Sequence, residues 1–298
     1  MEGLLPAFGL ACLGIVIGVL SGLLGVGGGT IMVPVFRLLL QMSPLASTAT
    51  SLFTVVPTSA AGAVTHWRNK TCLVPIGIAA GLGGALMSPL GVRLAAISPA
   101  WLVMLAAAVV ILWSAYKMFS KALKKPARAA GESTESTSSA AATISTASTG
   151  SKTLGVATTS TPSTASKIET SVPRQFTKNE LFKAVLIGLA AGLASGYVGV
   201  GGGFLMVPLF ITVYQCSMHE ASGTSLVAVM ILAIPGIVQQ GLYGNIDYLV
   251  GICIAIGSIP GGVVGARLSK RVPERQLRLI FGCFLLVAAV LLVVNEIA

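Results

Sequence analysis

Charged side chains are scarce in this chain, and acidic ones are the scarcest. Only 9% of its 298 residues carry a charge, with 19 Lys and Arg against 9 Asp and Glu. Soluble domains carry about 25% charged residues, so an ordinary soluble domain is excluded. No Asp or Glu falls in the middle of a long apolar run, where a cation pathway or a carboxylate proton relay usually places one. The pattern favours handling of an anion by backbone and hydroxyl dipoles.

Histidine and cysteine are also few, which argues against metal binding and catalysis. The chain has two histidines and five cysteines, and no two cysteines form a C-x-x-C pair. This spacing indicates no metal site, and we expect neither a metal nor a cofactor. An intramembrane enzyme would need paired carboxylates, a metal cluster or a Ser–His arrangement. His66 with a nearby serine is the only remnant of these, so we do not expect an enzyme.

Apolar residues, by contrast, make up 54% of the chain and lie in long runs. The runs cover residues 4–24, 45–65, 72–92, 100–116, 181–200, 223–240, 248–266 and 277–294. Runs of about 17–25 apolar residues are long enough to cross a bilayer as helices. No strand-like alternation competes, so the predicted class is an all-α polytopic membrane protein. The start of the chain lacks a basic n-region, and the first run is expected to stay as a membrane helix.

One motif occurs twice and reveals an internal repeat. Residues 21–36, SGLLGVGGGTIMVPVF, return 174 residues later as SGYVGVGGGFLMVPLF, with 11 of 16 positions identical. The same offset places Gly14, Gly18 and Gly22 on Gly188, Gly192 and Gly196. Glycines four residues apart let a neighbouring helix approach closely in membranes, and their recurrence predicts specific helix packing.

The repeat divides the chain into three parts. The first transmembrane repeat covers residues 1–119 and the second covers 179–298, each with five hydrophobic elements of which the second is short. Residues 120–178 are rich in Ser, Thr and Ala and carry eight basic and three acidic side chains. So polar a segment buries too little apolar surface to fold alone, and a flexible cytoplasmic linker is predicted.

The glycine clusters within the repeated motif predict broken helices. Gly27, Gly28 and Gly29 correspond to Gly201, Gly202 and Gly203, and glycine costs about 1 kcal/mol relative to Ala inside a helix. A break inside the membrane must be buried in protein or line a watery cavity. The start of a helix presents free N–H groups and a positive dipole end, which suit an anion. A competing interpretation is that the glycines only permit tight packing.

Polar residues on the following helix complete the predicted anion site. The repeat aligns Thr50 and Ser51 with Thr224 and Ser225, and it aligns His66 with Gln240. Hydroxyls in such helices often bond back to carbonyls one turn earlier, so a structural role is the alternative for all four. His66 also has a structural alternative, but it is the only titratable group near a span in the first half.

Basic residues predict the orientation of the two repeats. Lys and Arg concentrate in segments 68–70, 117–128 and 267–278, which the positive-inside rule assigns to the cytoplasm. Segments 94–100, 241–247 and 295–298 contain neither residue. Segment 68–70 is then internal while its equivalent, 242–244, is external. The repeats are thus predicted to be inverted, as in secondary transporters that bind substrate near the midplane.

These motifs resemble those of the sulfite exporter TauE/SafE family of membrane permeases. The resemblance is based on the doubled Gly-x-Gly-Gly-Gly-x-x-x-Val-Pro segments, each followed by Thr-Ser-Leu, and on His66-Trp67. It covers residues 8–119 and 182–293 and implies transport of a sulfur-containing anion such as sulfite or an organosulfonate. The long Ser/Thr-rich linker is unusual for the family.

A multi-pass transporter in the cell membrane is therefore the predicted function, with alternating access between the repeats. Its expected partners are a small anionic substrate, the lipid bilayer and a coupling ion, either proton or sodium; nucleic acid is not expected. An anion channel is the alternative, which would show steady current without saturation. The pattern leaves the anion, the direction of transport and the oligomeric state open.

The predicted orientation can be tested by labelling single cysteines from each side of the membrane. Cysteines placed at Lys70 and Arg271 should label from the cytoplasm, and those at Asn245 and the C-terminus from the other side, because basic segments stay inside. Labelling of Lys70 and Asn245 positions from the same side would contradict inverted repeats.

Overall fold

The structure is a computed structural model that describes residues 4–123, 177–198 and 201–297. Those residues form ten α-helices and no strand, which confirms the all-α class. The first repeat contains α1 (Leu4–Leu24), α2 (Gly29–Leu39), α3 (Pro44–Arg68), α4 (Val74–Ile97) and α5 (Ala100–Leu123). The second contains α6 (Lys178–Val198), α7 (Gly203–Val213), α8 (Met218–Leu242), α9 (Tyr248–Ser269) and α10 (Glu274–Ile297).

Helix boundaries follow the repeat closely. Each helix of the second repeat begins 174 residues after its equivalent in the first, and α2 and α7 are the predicted short elements of 11 residues. Among the described residues, α4, α6, α8 and α9 are long and apolar enough to cross a membrane. Both repeats belong to one compact unit. Helix α5 continues to Leu123, so the helix extends past the predicted linker boundary at residue 120, and residues 124–176 lie outside the described ranges.

Equivalent polar residues set the starts of α3 and α8. Ser43 accepts a hydrogen bond from the backbone N–H of Ala46, and Pro44 occupies the first turn, where the missing N–H costs nothing. Ser217 and Glu220 form a reciprocal capping box at the start of α8. These caps satisfy backbone donors that a helix start leaves open.

The glycine stripes bring helices of different repeats into backbone contact. In α1, a β-carbon at Gly18 would overlap the backbone of Ser258 and Gly262 in α9. In α6, a β-carbon at Gly192 would overlap the backbone of Gly84 in α4. These contacts confirm the predicted packing, and α1–α9 and α6–α4 are equivalent pairs that join the two repeats.

The long helices α3 and α8 cross near the centre of the molecule in opposite directions. Gly62 of α3 lies against Leu226 of α8, and the equivalent Gly236 of α8 lies against Leu52 of α3. The short helices fill the core beside this crossing: α2 packs on α3 and α10, and α7 packs on α8 and α5. Phe36, Phe204 and Phe210 are fully buried there.

The glycine contacts lead to a paired stability test. Gly18→Ala should lower the melting temperature in detergent, because overpacking against a fixed backbone costs about 1–3 kcal/mol. Gly9→Ala in the same helix is the matched control, since no atom lies within 4 Å of a β-carbon there. It should be neutral or stabilising, as Ala favours helix over Gly by about 1 kcal/mol. Equal melting temperatures for both variants would contradict the packing.

Candidate functional site

The first glycine cluster interrupts the helical structure between α1 and α2. Gly25, Gly27 and Gly28 have φ angles of +76°, +81° and +85°. A residue with a side chain would pay roughly 1–2 kcal/mol in this left-handed region, so glycine is required for the turn. Gly28 directly precedes α2 as its N-cap. The predicted helix break is confirmed here.

The second cluster repeats this geometry before α7. Gly201 and Gly202 have φ angles of +84° and +67°, and Gly202 is the N-cap of α7. Residues 199 and 200 lie outside the described ranges. The described part of the second break therefore matches the first, residue for residue.

The two breaks lie directly against each other. A β-carbon at Gly203 would overlap the backbone of Val26, so the start of α7 touches the first break. Val229 of α8 lies 2.8 Å from where a β-carbon of Gly27 would be, and Val55 of α3 lies 3.5 Å from that of Gly201. Val55 and Val229 are repeat equivalents at the middle of 25-residue helices. The breaks therefore meet at half the length of α3 and α8.

Both short helices begin at this meeting point. The first backbone hydrogen bonds of α2 run from the N–H groups of Ile31 and Met32 to Gly28 O, at 3.1 and 3.0 Å. In α7 the corresponding bonds run from Leu205 and Met206 to Gly202 O. A helix start leaves its first amide groups without a partner inside the helix, and the macrodipole there is positive by about half a charge. In α7 the Gly203 N–H is not open, because it donates to Gly201 O at 2.9 Å. Two such ends come together at the breaks.

Buried hydroxyl groups surround the breaks. Ser59 Oγ lies 3.1 Å from the position of a β-carbon on Gly27. Ser21 Cβ lies 3.6 Å from that of Gly28, and Ser195 Cβ lies 3.1 Å from that of Gly202. These serines and Thr30, in the first turn of α2, are at most 1% exposed. Within the described ranges, none of the four hydroxyls has a hydrogen-bond partner, and buried polar groups rarely lack one.

The sequence patterns above do not single out these four hydroxyls. Ser21 and Ser195 are the first residues of the two copies of the repeated motif, and the presence of serine in both copies could have indicated a shared role. Ser59 has no such signal because its equivalent is Ala233. Its position beside Gly27 depends on how α3 packs against the first break.

The predicted threonines hold the two repeats together. Thr50 Oγ1 accepts a hydrogen bond from Asp247 N, and Thr224 Oγ1 accepts one from Leu73 N, both at 3.0 Å. Asp247 and Leu73 are the residues that precede α9 and α4. Each threonine thus satisfies an amide at a helix start of the other repeat.

The predicted serines bond to carbonyl groups. Ser225 Oγ donates to Gly25 O at 2.6 Å, so it lies at the first break and satisfies the carbonyl exposed by the end of α1. Ser222 Oγ donates to Leu24 O at 3.1 Å in the same way. Ser51 Oγ donates to Thr48 O within its own helix at 2.8 Å. Among the four residues of the predicted Thr-Ser pairs, Ser225 is the one whose bond described here reaches a break.

His66 and Gln240 lie at the C-terminal ends of α3 and α8. His66 Nε2 lies 3.1 Å from Gly22 O, a carbonyl that can only accept, and Nδ1 lies 2.9 Å from Thr71 Oγ1. Gln240 Oε1 accepts from Asn245 Nδ2 at 2.8 Å. The two pairs are repeat equivalents that brace the turns after their helices, and His66 also contacts α1 three residues before Gly25.

Comparison with known proteins is consistent with this architecture. The family model of the sulfite exporter TauE/SafE matches residues 10–292. The probable membrane transporter protein YdhB of Bacillus subtilis (strain 168) is 24% identical over 265 residues, or 88% of this chain and 90% of that protein.

Two further relatives come from the same organism. The probable membrane transporter protein YjnA is 24% identical over 281 residues, covering 94% of this chain and 97% of the relative. The probable membrane transporter protein YunE is 31% identical over 118 residues, covering 37% and 43%. No solved structure matches the chain. With a family match over nearly its whole length and several apolar helices, the chain belongs to the sulfite exporter TauE/SafE family and is a multi-pass membrane transporter.

Proposed function

We propose that this protein is a secondary permease for a small sulfur-containing anion, such as sulfite or an organosulfonate, held between the paired glycine breaks. The observation that carries the proposal is the meeting of two helix starts among buried hydroxyls that have no hydrogen-bond partner in the described part of the chain. The substrate class is drawn from the family name. The substrate leaves chemically unchanged.

The surroundings of the breaks suit an anion. Two helix N-termini contribute about half a positive charge each, and each hydroxyl can donate one hydrogen bond. The acidic residues whose positions are described, Glu180, Glu220, Asp247, Glu274 and Glu296, lie at the starts or ends of helices. No carboxylate among them opposes an anion at the middle of α3 and α8.

We assign two kinds of role to the predicted site residues. The glycine segments 27–29 and 201–203 form the breaks and leave amide groups open to the anion, helped by the hydroxyls of Ser21, Ser59 and Ser195; the Gly203 amide is not among them, since it donates to Gly201 O. The second group supports the breaks and the helices around them. Ser225 and His66 bond to carbonyls at the end of α1, Thr50 and Thr224 bond to amides of the other repeat, and Ser51 and Gln240 bond locally.

Alternating access between inverted repeats is the proposed mechanism. It is supported by the antiparallel packing of α3 and α8, in which the contact of Gly62 with Leu226 has a repeat equivalent in the contact of Gly236 with Leu52. A site between two repeats related in this way can open to either side as one repeat moves against the other. A proton or sodium ion is the proposed coupling ion.

The proposed location is the cell membrane, with the linker in the cytoplasm. Arg68 and Arg267 line the same groove, so the structure brings two segments that were assigned to the cytoplasm to one end of the helices. That grouping supports the positive-inside assignment.

The proposed site is tested by anion binding to the purified protein and its Ser59→Ala variant. A thermal-shift screen against sulfite, thiosulfate, sulfate and short sulfonates should reveal stabilisation by at least one of them, since a ligand of the native state raises stability by mass action. Ser59→Ala should weaken that binding about tenfold, because a hydrogen bond to a charged group contributes about 1.5–3 kcal/mol. The unliganded melting temperature should hardly change, because the Ser59 hydroxyl has no partner among residues that the structure describes and the equivalent residue is Ala233.

Ser269→Ala is the matched control for this test. Ser269 is also buried, and its hydroxyl has no partner within the described ranges, but it is the last residue of α9. The Ser269→Ala variant should bind the anion with the affinity of the native protein. Equal affinity in Ser59→Ala and Ser269→Ala would refute the placement of the anion at the breaks. Uptake into vesicles that never saturates with anion concentration would indicate a channel instead.

The threonine bonds between repeats give a separate stability prediction. Thr50→Val and Thr224→Val should each lower the free energy of unfolding by about 1–3 kcal/mol, because an amide at a helix start loses its acceptor. Thr48→Val is the control on α3, since Thr48 Oγ1 donates only to Leu45 O, in the preceding turn. Thermal unfolding in detergent measures all three. A Thr48 variant as unstable as the Thr50 variant would contradict the proposed bridging role.

A further inference from the structure

A groove outside the glycine breaks runs between α3 and α9. Its volume is about 650 Å³. Apolar side chains, including Pro57, Ala60, Val64, Ile259 and Val263, line most of it. Thr65, Asn69 and the guanidinium groups of Arg68 and Arg267 line the rest. The groove is thus apolar along its length and cationic at one end.

The two arginines lie at the same end because α3 and α9 run parallel. Thr50 Oγ1 accepts from Asp247 N near the starts of both helices, and Thr58 Oγ1 lies 2.6 Å from Ser258 Oγ further along. Arg68 and Arg267 belong to the last turns of α3 and α9. From Pro57 to Arg68 the groove covers eleven residues, about 16 Å at 1.5 Å per residue. This is about half of the 30 Å hydrocarbon core of a bilayer, the depth of one leaflet.

Within the described ranges, no carboxylate neutralises the positive charge at this end of the groove. Among the described residues, neither Arg68 nor Arg267 has a carboxylate partner. The carboxylate of Glu274 bonds to Arg278 and to Met218 N, and that of Glu220 bonds to Ser217. The C-termini of α3 and α9 each contribute about half a negative charge, against two full positive charges. The net field favours an anion.

The second repeat does not reproduce this pair of cations. Arg267 corresponds to Arg93 in α4, but Arg68 corresponds to Leu242 in α8. Helix α4 runs parallel to α8, since Gly77 lies against Val227 and Gly84 against Leu232. Because α8 is antiparallel to α3, Arg93 lies at the opposite end of the molecule. The double charge is therefore confined to one leaflet.

We propose that this groove binds an anionic phospholipid of that leaflet, with its phosphate on Arg68 and Arg267 and one acyl chain along α3 and α9. Guanidinium groups bind phosphate oxygens through paired N–H donors, and basic pockets between membrane helices suit anionic headgroups. Because α3 and α9 belong to different repeats, the bound lipid bridges them.

The test is lipid titration of the full-length protein in a neutral detergent, with bound lipid counted by native mass spectrometry. Dioleoylphosphatidylglycerol should bind more tightly than dioleoylphosphatidylcholine. Arg68→Gln and Arg267→Gln should each weaken phosphatidylglycerol binding about tenfold, the loss expected for a charged hydrogen bond. Arg93→Gln is the matched control and should leave that affinity unchanged. Equal binding of the two lipids, or unchanged binding in both groove variants, would overturn the proposal.

Ala60→Phe separates the groove from a contact with the headgroup alone. It keeps both arginines and fills the path of the acyl chain, so phosphatidylglycerol binding should fall. Unchanged binding would overturn the acyl-chain placement. Glycerol 3-phosphate, which carries an anionic phosphate but no acyl chain, should not displace the lipid at equal concentration. Melting temperatures measured without lipid identify any variant that does not fold. If an arginine variant does not fold, the effect of Ala60→Phe on phosphatidylglycerol binding tests the proposal in its place.

Discussion

A helix that breaks inside a membrane exposes amide and carbonyl groups that lipid cannot satisfy, and the rest of this structure depends on meeting that constraint. Ser222 and Ser225 of α8 donate to the carbonyls of Leu24 and Gly25 at the end of α1. His66 of α3 lies against the carbonyl of Gly22. The polar residues that satisfy these carbonyls therefore lie on α3 and α8, the two helices that enclose the breaks.

Enclosure of the breaks requires helices that come very close together, and glycine makes this approach possible. With no side chain at Gly18 or Gly192, α1 lies on the backbone of α9 and α6 lies on that of α4. In a membrane, where burial of apolar surface drives helix association little, such close packing supplies van der Waals contact instead. Both contacts join one repeat to the other, so the two halves form a single scaffold around the paired breaks.

The same scaffold separates two kinds of anion chemistry. At the breaks, neutral dipoles and hydroxyls would hold a substrate that must also leave, and partial charges bind less tightly than full ones. In the groove between α3 and α9, the full positive charges of Arg68 and Arg267 would instead hold the phosphate of the proposed lipid, which can remain bound. A permease benefits from keeping fixed cations away from its transport path, because a strong ion pair at the midplane would slow release.

The sequence by itself determined the helices, the breaks and the family. Long apolar runs and the 174-residue repeat predicted five elements per half, and the glycine clusters predicted where α1 and α6 end, because these signals are local. The contacts of each hydroxyl were decided only by tertiary structure. Thr50 bonds to an amide 197 residues away, while Ser59 lies beside Gly27 and has no hydrogen-bond partner among the described residues. Both are hydroxyls on one helix, and their partners depend on which distant backbone packs against each face.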